Sequence, residues 1–225
     1  MIDYLPLWLS LKLALATTII LLIIGIPLSY WLAYTGRRWK VMVEACVSLP
    51  MVLPPSVLGF YLLLAFSPAG AFGHFLDHYL DTRLVFTFQG LIIASIIYSL
   101  PFMVNPLLAG FKNCPPHLRE ASRTLGKSDL TTLRHVLLPS IRPSLITGAI
   151  LCFAHTLGEF GVVMMIGGSI PGHTKLASVA IYDEVQSGHY NLANRYAIIL
   201  LTFSFLLLLL VYNINHRFSK SKIIA

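Results

Sequence analysis

The chain has 225 residues, 56% of them hydrophobic and 11% charged, with a mean hydropathy of +0.77. Soluble domains carry about 25% charged residues, so the composition excludes an ordinary water-soluble fold and leaves one helical membrane domain with short loops and no separate soluble domain. The formal net charge of +7 is of the kind that attracts polyanions, but the basic residues cluster by loop as a topology signal, which excludes nucleic acid as the partner.

The N-terminus, MIDYLPLWLSLK, has an acidic residue where a secretory signal has a basic region. The GRRWK patch after the first apolar run acts as a stop, so the first helix is expected to be retained. Stretches centred on 13–35, 45–66, 87–110, 143–166 and 196–213 are long enough to cross a hydrocarbon core of about 30 Å. In lipid each backbone N–H must be paired within its own segment, and these runs are too long and too unbroken for barrel strands. The expected fold is all-α and integral to the membrane, with five to six transmembrane helices, the sixth counted if 174–187 enters the membrane.

Prolines interrupt the second stretch at SLPMVLPPSVLGF and the third at YSLPFMVNP, where the lost N–H and the ring clash are expected to bend or break the helix. Broken backbone is disfavoured against lipid, so Pro54, Pro55 and Ser56 become candidates for a pathway or gate facing the bundle interior. The loop at 67–85 is rich in Gly, Pro and small polar residues. In 167–195, Leu176, Val179, Ala180, Ile181 and Val185 are spaced for a short amphipathic helix.

Orientation follows from Lys and Arg, which collect on the cytoplasmic side. Arg37, Arg38 and Lys40 follow the first stretch, Lys112, Arg119, Arg123, Lys127, Arg134 and Arg142 lie between the third and fourth, and Arg217, Lys220 and Lys222 follow the fifth. These are most of the 16 basic residues; Lys12, Arg83, Lys175 and Arg195 fall on the other side. The N-terminus is therefore expected outside and the C-terminus in the cytoplasm. Cys46, Cys114 and Cys152 have no C-x-x-C pairing, which argues against a disulfide framework or a zinc site and makes them small buried hydrophobes. No cofactor or metal is expected.

Gly126-Lys127-Ser128 has the ending of a nucleotide-binding P-loop, but the first glycine position is Ala121 and no strand precedes it. The stretch 113–138 reads instead as a two-helix elbow. Asn113 caps the first helix, and Pro115 and Pro116 occupy its opening turn. Leu118, Ala121, Ser122 and Leu125 share one face, and Gly126 ends the helix in a left-handed conformation. Ser128 or Asp129 caps the second, whose apolar stripe is Leu130, Leu133, Val136 and Leu137, with Pro139 closing it near the membrane. Such a basic, protruding elbow suits a partner's groove.

Glu120-Ala121-Ser122, then Gly126, then Val136-Leu137-Leu138-Pro139 resembles the cytoplasmic signature of type I ABC importer permeases, E-A-A-x-x-x-G followed nine residues later by I-x-L-P. Ser for the second Ala and Val for Ile are mild departures. The resemblance implies that the elbow is a coupling helix seated on a separate ATP-hydrolysing subunit, with Glu120, Ala121, Ser122, Gly126, Leu130 and Pro139 at the docking surface. The chain itself is then expected to be no enzyme.

An ionisable group at membrane depth costs at least ~2.5–3.5 kcal/mol on insertion scales. Glu159 is therefore a functional candidate, and His155, four residues earlier, is placed to pair with it. Gly158-Glu159-Phe160-Gly161, with GGSIPGHT, IYDEVQSG and LPMVLPPSVLGFYLLL, resembles the permeases for tetrahedral oxyanions, over about residues 10–214. Those for molybdate or tungstate are most similar, and sulfate and thiosulfate permeases are the alternative. The resemblance implies a homodimer, two ABC ATPase subunits and an external oxyanion-binding protein in the cytoplasmic (inner) membrane, with a pathway along the dimer interface. A membrane-embedded enzyme lacks H-E-x-x-H and G-x-S-x-G, and a proton-coupled secondary transporter lacks repeated halves and several midplane charges.

Overall fold

The computed structural model describes residues 2–223, with side chains described as far as Asn213 apart from Leu80. Among the described residues the secondary structure is helical. α1 (Leu5–Tyr34) and α5 (Phe88–Lys112) are uninterrupted and apolar enough to cross a membrane. They pack against each other along their length with α9 (Arg142–Leu157) as the third member of the central group. Leu9, Leu13, Leu21 and Leu32 recur on one side of α1 and are buried, as one face of a 3.6-residue period requires. Leu91, Ala94, Met103 and Leu107 supply the opposing surface of α5. α12 (Tyr190–Ile223) lies at the periphery, with its apolar stretch to Asn213 largely uncovered in this chain.

The second stretch is not one straight span. α2 (Lys40–Val52) and α3 (Pro55–Phe66) are bent by 112° at Leu53-Pro54, where consecutive prolines remove donors and force extended backbone. The third stretch differs from expectation, because α5 runs through both Pro101 and Pro106 without a break. The fourth also departs from a continuous 143–166. α9 stops at Leu157, the chain is non-helical through Gly158, Glu159 and Phe160, and α10 (Gly161–Gly167) resumes. The 16 residues of α9 reach only about 24 Å at 1.5 Å per residue, short of the hydrocarbon thickness.

α10 packs on α3, so the second halves of the two broken helices lie together. At Gly59 and Gly161 the backbones approach closely. A Cβ on Gly161 would stand 2.7 Å from Pro55 Cβ, and one on Gly59 would stand 3.1 Å from Val162 Cα.

The segment 67–85 holds a helix that its Gly and Pro content obscured, α4 (Ala71–Leu80), ended by Asp81 in the left-handed region. Beyond it, Arg83 donates to Asp77 at 2.8 Å and that bond holds the half-buried Asp77 carboxyl below its ordinary range. The amphipathic helix expected near 174–187 is α11 (Ala177–Gln186), with Leu176, Val179 and Ala180 buried, Ile181 half-buried and Val185 exposed. It packs against α12 and the start of α1. Cys114 and Cys152 are buried, but Cys46 on α2 is exposed, contrary to its reading as a core residue.

The elbow joins the far end of this bundle, where α1 and α5 finish. It comprises α6 (Pro116–Thr124), α7 (Asp129–Thr132), a π-helical turn (Leu133–Leu137) and α8 (Leu138–Ser140), with an 80° bend into α9.

Candidate functional site: a cavity between two broken helices and an exposed elbow

Where α9 breaks, the backbone loses its helical partners, and neighbouring side chains supply replacements. The Glu159 carbonyl accepts from Ser178 Oγ of α11 at 2.6 Å, and Glu159 N–H donates to the Thr156 carbonyl at 3.3 Å. α11 is itself fastened to α1, since Ala177 N–H donates to Ser10 Oγ at 2.9 Å. The Glu159 carboxyl, 4% exposed, receives Ser95 Oγ on Oε2 at 2.8 Å, while its Oε1 is buried without a partner.

His155 does not pair with Glu159. Its Nδ1 lies 3.0 Å from Ser99 Oγ, which in turn lies 2.8 Å from Thr156 Oγ1, and its ring stacks on Phe102 with centroids 3.8 Å apart. The i, i+4 argument fails for a local reason: α9 has already ended at Leu157, so Glu159 no longer follows the helical period. Ser95 and Ser99 escaped notice in the sequence, although their own i, i+4 spacing in the apolar run IIASIIYSLPF puts both on the face of α5 that meets this break.

An open cavity of about 600 Å³ sits at the meeting point. Pro55 and Ser56 line it from α3, Tyr98 from α5, and Ala154, His155 and Gly158 through Gly161 from the broken fourth stretch. The sequence candidates Pro55, Ser56, Gly158, Glu159, Phe160 and Gly161 are thus brought to one place, and Pro54 stands in the bend just behind them, outside the lining. No Lys or Arg lines the cavity, so it presents hydroxyls, backbone groups and the His155 ring to an occupant, with the Glu159 carboxyl buried behind them.

The elbow keeps most of its expected form. Gly126 has φ +70°, and Gly126 N–H and Lys127 N–H bond back to the Arg123 and Ser122 carbonyls at 2.9 and 3.1 Å, the pairing of a Schellman motif. Ser128 caps α7 by accepting from Thr131 N–H at 3.2 Å. Two details are corrected. Asn113 closes α5 rather than opening α6, whose N-cap is Pro115. The inward face of α6 is Leu118 and Ser122, whose Oγ lies 2.8 Å from Thr132 Oγ1, whereas Ala121 and Leu125 face outward.

In the second half Leu133, Val136 and Leu137 turn inward and Leu130 does not. Glu120, Ala121, Gly126 and Pro139 are exposed, and so are Leu125 at 75% and Leu130 at 74%. Two uncovered leucines on either side of a left-handed glycine form an apolar tip on an otherwise charged projection.

An all-helical membrane chain with interrupted spans around a cavity, and a projecting elbow at one end, has the form of a transport component. The chain belongs to the family of binding-protein-dependent transport system inner membrane components, whose family model matches residues 25–224. It is 45% identical over 216 residues to the molybdenum transport system permease protein ModB of Azotobacter vinelandii, covering 96% of this chain and 95% of that protein. It is 32% identical to the sulfate transport system permease protein CysT of Salmonella typhimurium, covering 88% of this chain and 71% of that one. Among solved structures, a chain of the MetNI methionine ABC transporter in an inward-facing conformation aligns with a TM-score of 0.71 at 19% identity, covering 93% of this chain and 92% of the other. A chain of a bacterial alginate ABC transporter gives 0.70, also at 19%. At that identity the likeness is one of fold.

Proposed function

We propose that this chain is the permease subunit of an ATP-driven importer that moves molybdate, or tungstate, across the cytoplasmic membrane by alternating access. Two copies form the pathway, two ABC ATPase subunits dock on the elbows from the cytoplasm, and an external oxyanion-binding protein delivers the substrate. The N-terminus lies outside and the C-terminus inside. The observation that carries this reading is the cavity at the two helix breaks, in a chain whose 45% identity to a molybdenum permease extends over nearly its whole length.

The chemistry of the cavity fits transit rather than capture. A dianion entering a cell that is negative inside works against about 4.6 kcal/mol per 100 mV, twice the single-charge value. A passive pore would run outward, so an energy source is needed. A fixed guanidinium or ammonium here would hold the anion and slow its release. Ser56 and the backbone of the break offer weak hydrogen bonds. Selectivity then belongs to the external binding protein. Sulfate is the second reading, supported by the 32% identity to a sulfate permease.

The test is uptake of radiolabelled molybdate by cells expressing the complete transporter. Tungstate is expected to compete and excess sulfate to leave uptake nearly unchanged. Uptake is expected to persist when the proton gradient is collapsed and ATP is maintained. Strong inhibition by sulfate would assign the sulfate reading, and loss of uptake with the proton gradient would remove the ATP-driven one.

A further inference from the structure

Besides the apolar contacts of Leu118, Leu133 and Leu137 with the bundle core, the elbow reaches the bundle through one charged side chain. Arg119 of α6 holds its guanidinium carbon 4.3 Å from the Tyr34 ring centroid and 6.0 Å from that of Tyr30. The two tyrosines lie 5.1 Å apart in the last turns of α1. Each also meets the ring of Phe111, fully buried at the end of α5, at 5.8 and 6.3 Å. Tyr34 Oη donates to the Phe111 carbonyl at 3.3 Å, which ties α1 to α5 at this level. One residue from each of two bundle helices and a third from the next turn therefore form an aromatic box, and a residue of the elbow fills it.

The neighbouring cations are engaged elsewhere. Lys112 pairs with Glu44 and Arg123 with Asp129, each at 3.0 Å. Arg119 makes no such pair among the described residues, and its Nε is buried without a partner beside a cavity of about 360 Å³ that Glu120 and Arg123 also line. Ring faces are what hold it. A guanidinium is planar and weakly hydrated, so it can lie on two aromatic faces at once, which a compact, strongly hydrated ammonium does less well.

We infer that Arg119 is the positioning residue that couples movement of the elbow to α1 and α5 through the Tyr30, Tyr34 and Phe111 rings. The inference rests on the proposed function, since it assigns the route by which force from an ATPase docked on the exposed side of α6 reaches the two central helices. Ala121 and Leu125 face outward from α6, while Arg119 reaches into the bundle. Docking and transmission thus use different sides of one short helix. Coupling of this kind travels through contiguous packed groups, and here the chain of contact is continuous from α6 to the central pair.

The experiment uses the complete transporter reconstituted in vesicles, with ATPase co-purification, ATP hydrolysis and molybdate uptake measured together. Arg119→Leu is expected to keep the ATPase bound and hydrolysing while uptake per ATP falls at least about five-fold, the lower end of usual coupling factors. Arg119→Lys is expected to fall in the same direction, and Tyr34→Phe, which keeps the ring, to stay near the wild type. Combining Arg119→Leu with Tyr34→Leu is expected to be no worse than Tyr34→Leu alone, as for two parts of one contact. Unchanged uptake per ATP in Arg119→Leu, release of the ATPase by that substitution, or independent losses that multiply would each overturn the inference. A wild-type complex that moves no oxyanion at the expense of ATP would overturn the proposed function instead.

Discussion

Gly126→Val is expected to abolish co-purification of the ATPase subunit with this chain while leaving its insertion into the membrane intact. The glycine occupies φ +70°, a region that costs residues with a Cβ roughly 1–2 kcal/mol and that a β-branched residue rarely enters at all. Space is not the obstacle, because nothing lies within 4 Å of where a Cβ would be. The strain is in the backbone, and relieving it rotates Lys127 N–H away from the Ser122 carbonyl and opens the turn between α6 and α7. Leu125 and Leu130 then no longer present one apolar tip. Losing a central apolar contact of an interface costs on the order of 2 kcal/mol, roughly thirty-fold in affinity. Glu120→Lys reverses an exposed charge on the same side and is expected to weaken association in the same assay. Normal co-purification of both variants would remove the docking role from the elbow.

The second large effect is expected at Gly161. Replacing it with leucine places a Cβ 2.7 Å from Pro55 Cβ and 3.4 Å from the Pro55 carbonyl carbon and Ser56 nitrogen. A flexible side chain could move aside, but a proline ring and a backbone at a helix break cannot do so cheaply. Overpacking of this kind costs about 1–3 kcal/mol, and the space available for the added atoms is the cavity itself. Uptake is expected to fall at least about ten-fold, the equivalent of 1.4 kcal/mol, with ATPase co-purification unchanged, since the elbow is at the other end of the bundle. Uptake near the wild-type rate would show that the cavity is not on the route. Ser95→Ala, which leaves Glu159 without its hydroxyl donor, is expected to lower the yield of folded chain by detergent melting, because an unsatisfied buried polar group costs about 1–3 kcal/mol.

What the sequence revealed was governed by local chemistry. Gly126 and Ser128 were legible because a left-handed stop and a hydroxyl cap are decided within a few residues. Pro54-Pro55 announced its bend for the same reason. Periodicity misled wherever a helix ended earlier than the pattern. His155 and Glu159 looked paired only if α9 continued past Leu157, and Leu125 looked inward only if α6 continued past Thr124.

The break at 158–160 depends on partners distant in the chain, Ser178 at the carbonyl and Ser95 at the carboxyl, which no local rule supplies. α4 was overlooked although Phe72, Phe75, Leu76 and Tyr79 follow i, i+3, i+4, i+7, because glycines and a proline nearby drew the segment toward a loop. The aromatic box at Arg119 joins the end of α1 to the consecutive helices α5 and α6, with Tyr34 and Phe111 77 positions apart, and neither Tyr30 nor Phe111 stands out in an apolar run.

The bond from Ser178 to the Glu159 carbonyl makes the short helix α11 a crossbar rather than a cover. With Ala177 fastened to Ser10 and Ser178 fastened to the interrupted span, neither support can slide by an ångström or so without costing the Ala177 N–H its acceptor or the Glu159 carbonyl its donor. This end of the molecule is therefore stiff, and α1, α11 and the break at Glu159 are expected to move together as one block.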